Sequence, residues 1–69
     1  MTQNDMVLKY LHDFGSITPL DALREFGCMR LASRIADLKK DGHSISRVME
    51  RGQGRYGNKV RYARYRLEG

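Results

Sequence analysis

The chain has one cysteine, one proline, two histidines and no tryptophan among its 69 residues. With Cys28 alone no internal disulfide forms, so the expected setting is a reducing cytoplasm. Cys28, His12 and His43 are too few and too scattered for a zinc tetrad, and neither a metal nor another cofactor is expected. No apolar run approaches the roughly 18 residues of a membrane helix. The polar start MTQNDMVLKY does not have the form of a secretory signal. A domain of this length buries only about 60% of its unfolded surface, too little for a two-lobed catalyst with a deep cleft. Neither histidine stands in a pattern with a nucleophile or paired carboxylates, so no enzyme and no small-molecule substrate are expected. Acidic residues are also few: eight Asp and Glu against thirteen Lys and Arg, a net charge of +5.

What is present fits a folded domain, with 41% hydrophobic and 30% charged residues. The charge is graded along the chain. Residues 1–27 carry a net −2, residues 28–42 a net +2 and residues 43–69 a net +5, with no acid at all between Arg51 and Arg66. A pI near 9.8 and an acidic front with a basic back point to a polyanionic partner met by one face.

Local signals divide the chain into five elements. Thr2 followed by Asp5 is a capping-box start for a helix over 3–14, with Val7, Leu8, Leu11 and Phe14 on one side and Gly15 as its stop. Thr18, Pro19 and Asp21 mark the cap, first and third positions of a short second helix. Its apolar side is Leu20, Ala22, Leu23 and Phe26, and Gly27 ends it. A third helix is expected over 29–41. Leu31, Ile35 and Leu38, with Ala32 and Cys28 beside them, form its inner side, and Gly42 stops it. The opposite side holds Arg30, Ser33, Arg34, Asp37 and Lys40. Two helices joined this closely make a helix-turn-helix, about residues 18–42. After Gly42 the period becomes two. Strands are expected near 44–50 and 59–67 around a glycine-rich tip, as a two-stranded hairpin or wing over about 44–67. A lone hairpin is unstable in water, so one face must lie on the helices, through Ile45 and Leu67. The fold class is therefore α+β, mainly α, with three helices and a hairpin in one domain spanning 1–69.

Residues 16–45, SITPLDALREFGCMRLASRIADLKKDGHSI, resemble the small winged helix-turn-helix DNA-binding proteins of bacteriophages and prophages. The closing Tyr65-Arg66-Leu67 is similar to the last wing strand of that family. The most specific parts are Thr18–Gly27 and the spacing of Leu38, Gly42 and Ile45. One departure stands out, because Cys28 and Met29 occupy the place where many such regulators carry a Ser or Thr cap. The resemblance implies the biochemical class of a double-stranded DNA binder, and the role expected for it is that of a phage or prophage transcriptional regulator or a recombination-directionality-type factor.

A helix-turn-helix reads base edges with the front of its second helix, which here offers Arg30, Ser33, Arg34 and Asp37. Arg bridges guanine O6 and N7, and Asp accepts from cytosine N4. The alternative for this face is an ordinary solvated helix surface, with Asp37 paired to Arg34 or Arg30. Backbone contacts are expected from Thr18 and Lys40 and from Arg51, Arg55, Tyr56, Lys59 and Arg61 around the tip, where glycines allow close approach to phosphates. Arg64 and Arg66 share the other strand face with Val60 and Tyr62 and are assigned to edge protection. Cys28 is expected to be a small buried residue. Tyr10, Tyr62 and Tyr65 are expected at the core edge. Gly52-x-Gly54-x-x-Gly57 matches a dinucleotide fingerprint in letters only, because no helix follows it.

One module buries about 600–1,000 Å² on DNA, so useful specificity calls for a dimer or a cooperative array. The competing reading is a phage-encoded protein-interaction module that modulates a host protein, since winged helices are reused in that way. RNA binding ranks last, for want of an aromatic sheet face.

Overall fold

Thr2 and Thr18 each start a helix by the same local bonding. In the computed structural model, which describes residues 1–68, Thr2 Oγ1 accepts from the Asp5 N–H at 3.1 Å while the Asp5 carboxylate accepts from the Thr2 N–H at 3.2 Å. Thr18 and Asp21 repeat the exchange at 3.2 and 3.0 Å. Each box satisfies two N–H groups that a helix start leaves unpaired. The first opens α1, Gln3–Phe14. The second opens α2, Pro19–Phe26, with Pro19 at its first turn. Gly27 lies at φ +65, the left-handed region that a side chain resists. It lets its own N–H reach Leu23 O at 2.9 Å and the Cys28 N–H reach Ala22 O at 3.1 Å, which turns the chain sharply out of α2.

The third helix, α3, runs Leu31–Lys40, two residues later at its start than the sequence pattern suggests. Cys28 and Met29 lie in the turn before it. Arg30 occupies the cap position, and no side chain caps the helix. This is the local consequence of lacking Ser or Thr there. Gly42 and His43 close the far end, the His43 N–H donating to Leu38 O at 3.1 Å.

Two nine-residue strands follow, β2 over Ile45–Gln53 and β3 over Lys59–Leu67. They pair antiparallel from Ile45 opposite Leu67 to Gln53 opposite Lys59. The sheet has one strand more than the expected hairpin. Ser16–Ile17, between α1 and α2, forms a short β1 that pairs with Arg66 and Tyr65, giving the order β1-β3-β2. β3 is thus the central strand near its end. That corrects the edge-protection assignment of Arg66, which is flanked on both sides.

The core joins all these elements: Val7 and Leu11 of α1, Ile17 of β1, Ala22 of α2, Leu31, Ile35 and Leu38 of α3, and Ile45 and Tyr65 of the sheet. Cys28 is only 2% exposed and fills the turn among them. Tyr10 and Phe26 pack on this core edge to face, with ring centres 6.3 Å apart. Burial, reinforced by Asp21 and Glu25, pushes the Tyr10 phenol above its ordinary pKa. Ile45 lies on the helices as expected, and Leu67 packs against the same cluster. Ala32, expected inside, is exposed: core contact is taken by the larger Leu31 and Ile35 on either side of it. Phe14, Leu20 and Leu23, also expected on apolar inner sides, are exposed. The strands extend well past the helices, and the molecule measures 39 × 23 × 20 Å.

Candidate nucleic-acid interface

With Leu31, Ile35 and Leu38 inward, the turn of α3 fixes where its polar residues go. Ala32, Ala36, Lys39 and Lys40 are open to solvent, as is Arg30 just before the helix, while Ser33 is half-buried. Arg34 and Asp37 lie on the flank toward α1. Asp37 Oδ2 accepts from Asn4 Nδ2 at 3.4 Å and pairs with Arg34 Nη2 at 3.9 Å. Asn4 Oδ1 and Arg34 Nε are buried there without hydrogen-bond partners. The four expected base-contacting residues therefore separate into two groups. Arg30 and Ser33 belong to the open side, and Arg34 and Asp37 to a polar cluster under the start of α1. Sequence reasoning missed the open methyls of Ala32 and Ala36, for which no sequence signal existed beyond the helical period.

Thr18 is 6% exposed and its hydroxyl is occupied by the cap, so it is not brought to the surface with the other expected backbone contacts. The wing residues are. Alternation along the register places Arg47, Arg51, Lys59 and Arg61 on one strand face, the outward continuation of the face that buries Ile45 and Tyr65. Arg51 stands directly opposite Arg61, a like-charge pair that costs stability in a lone protein. At the tip the Gly54 N–H donates to Asn58 O at 2.7 Å, and Gly57 takes φ +78. A Cβ on Gly54 would run into the Asn58 side chain. This tight turn exposes Arg55 and Tyr56 at the far end of the molecule.

Arg64 behaves differently from its neighbours. Its Nε donates to Glu50 Oε1 at 2.8 Å and its Nη1 to Ser16 Oγ at 3.0 Å. The bond to Arg64 holds the Glu50 carboxyl below its ordinary pKa, and the same bond raises that of Arg64. Arg64 is therefore an internal tie between β2, β3 and β1, which corrects its assignment to edge protection. Among the described residues, Lys9, Arg24, Arg34 and Arg64 are the bases with an acidic partner within 4 Å. All nine others lie from Arg30 onward, in α3 and the wing, so the unneutralised charge is concentrated in those two elements.

Three helices, a short strand between the first two, a tight glycine turn before the third and a basic hairpin are the parts of one known architecture. A family model described as a winged helix-turn-helix domain matches residues 2–68. The chain belongs to the winged helix-turn-helix domain family. No curated protein and no solved structure matches it. A winged helix-turn-helix domain is a DNA-binding fold, and α2 and α3 are its helix pair, with β2 and β3 its wing. None of its helices is long and apolar enough to cross a membrane among the described residues.

Proposed function

We propose that the protein binds double-stranded DNA with sequence preference, α3 entering the major groove and the wing resting on flanking backbone. The observation that carries this reading is the placement of unpaired cations: eight of the nine lie at Arg30, Lys39 and Lys40 around α3, at Arg47, Arg51, Lys59 and Arg61 on one face of the wing and at Arg55 on its tip, and among the described residues no acid lies within 4 Å of them. Arg30 and Ser33 are the base-reading polar groups, and Ala32 and Ala36 offer methyl contacts of the kind that thymine accepts. Lys39 and Lys40 lie on the same open side and reach backbone. The uncapped start of α3, with no acid in its first turn, leaves N–H groups and a positive helix end for a phosphate. Arg51, Arg55, Tyr56, Lys59 and Arg61 take the backbone or a narrow minor groove. Asp37 and Asn4 hold Arg34 at the flank, and Arg34 reaches a base only by leaving that pair. The likeness of residues 16–45 to phage and prophage regulators supports a transcriptional regulator or a recombination-directionality factor as the cellular role.

Selection from a random duplex library tests the reading. An enriched motif is expected. Arg30→Ala should relax preference at one position at a cost of about 1–3 kcal/mol, while Arg55→Ala should weaken all duplexes alike. Recovery of no motif would overturn sequence-specific binding.

A further inference from the structure

Arg64 and Arg34 both sit beside acids, but the two pairs are built differently. Arg64 is tied in by two short bonds, from Nε to Glu50 Oε1 at 2.8 Å and from Nη1 to Ser16 Oγ at 3.0 Å. Arg34 Nη2 stands 3.9 Å from Asp37 Oδ2, beyond hydrogen-bond reach, and its Nε is buried with no partner among the described residues. The pair is also open to water, its side chains being 35% and 45% exposed, and so open a pair adds little to stability. Arg34 is thus parked beside Asp37 without being bonded into the fold.

Asp37 does not depend on Arg34 alone. Asn4, in the first turn of α1, donates from Nδ2 to Asp37 Oδ2 at 3.4 Å, and the positive end of that helix favours an acid beside it. The carboxylate therefore keeps a partner when Arg34 leaves. Arg34 itself lies one helical turn beyond Arg30 and next to Ser33 of the open side, in the part of the helix that faces base edges. Guanine O6 and N7 offer its planar fork two hydrogen bonds where Asp37 gives it none. We propose that Asp37, held by Asn4, is a positioning residue that keeps Arg34 out of the groove until a guanine takes it, so that Arg34 adds to sequence preference more than to general affinity. This inference rests on the DNA reading above, and it gives Asp37 a role at Arg34 in place of a base of its own. An unheld Arg34 would be one more cation for any phosphate chain. Asp37 answers that charge on every duplex that offers the fork nothing better.

Titration of two labelled duplexes, one recovered by selection and one random, is the test, with the ratio of their affinities as the readout. The ratio does not change when part of a sample is unfolded, so a variant that folds less well still reports. Arg34→Gln should lower the ratio at least about fivefold. Replacing N7 by carbon (7-deazaguanine) at one guanine of the selected duplex should weaken binding by the parent and make no difference to Arg34→Gln. Asp37→Asn releases Arg34 to phosphate, so the random duplex should bind more tightly, with a salt slope steeper by about one unit, and the ratio should fall. Asp41→Asn, an equal change of charge at the exposed end of α3, should keep the parent's ratio and slope. In an Arg34→Gln background, Asp37→Asn should do no more than Asp41→Asn, since its partner is gone. An effect of Asp37→Asn that survives in that background overturns the proposal, because Asp37 then acts through its charge alone. So does an Arg34→Gln variant that weakens both duplexes alike, the mark of a plain phosphate contact, or neither, the mark of a structural tie. A selection that recovers no motif removes the DNA reading and this inference together, whereas any of those three results with a motif in hand removes the inference alone.

Discussion

At the scale of single residues, the same side-chain type does different work according to its partner. Arg64 and Arg61 stand three positions apart on β3 with opposite fates. Arg64 points to the outer face, where Glu50 lies diagonally across and Ser16 closes from β1. Arg61 points to the other face and meets Arg51. The Glu50–Arg64 bond makes stability depend on pH in a definite direction. The folded carboxyl is held below its ordinary value of 4.5, so its contribution is complete above that value and is lost as pH falls through the folded one. Melting of the parent and of Glu50→Gln should therefore differ by a constant margin from about pH 7 down to about pH 5, then converge below. A margin independent of pH would show that the carboxylate charge is not what Arg64 holds.

At the scale of elements, legibility in the sequence follows the range of the forces that make each one. The boundaries of α1 and α2 could be read because capping boxes and a glycine stop act within a few residues. The wing strands could be read from alternation and glycines, although β2 runs three residues further toward the tip than its pattern suggests. β1 could not be read. It is two residues long and exists only because β3, some 48 residues on, passes beside it. The flank of α3 that faces α1 was equally hidden, because the helical period gives an inner side but not which neighbour lies on each shoulder. Hence the sequence offered Arg34 and Asp37 either as base contacts or as a pair, the pair is what forms, and the Asn4 that lies against Asp37 was not legible. Leu20 and Leu23 read as core for a similar reason, since their helix has too few neighbours to cover its whole apolar side. On the proposed DNA reading, the like charges of Arg51 and Arg61 stand directly opposite each other because an anion is to sit on them. Arg61→Thr should stabilise the free protein by about 0.2–1 kcal/mol in thermal unfolding, while weakening duplex binding. A destabilised variant would mean that Arg61 has a structural partner and is not reserved for phosphate.

At the scale of the whole molecule, the chain keeps its unpaired bases from Arg30 onward, while the four acids before that point are answered locally. The front half uses Asp5 and Asp21 in caps and Asp13 and Glu25 in exposed pairs with Lys9 and Arg24. Those pairs are worth little to stability in water, but they cancel charge locally and leave the field of the molecule to α3 and the wing. Affinity for DNA through such a surface comes largely from releasing condensed counterions, so the logarithm of the binding constant falls with the logarithm of salt by about 0.9 for each phosphate neutralised. The slope thus counts phosphate contacts, and it separates the two classes of arginine found here. Arg55→Ala and Arg51→Ala should each make the slope shallower by about one unit. Arg64→Gln should leave it unchanged while lowering the melting temperature, because its charge is already answered by Glu50 in the free protein. Fluorescence titration of a labelled duplex at four or five salt concentrations measures all three slopes. If Arg64→Gln flattened the slope as much as Arg55→Ala, the guanidinium would have to leave Glu50 on binding, and the division of the wing into a structural face and a DNA face would fail.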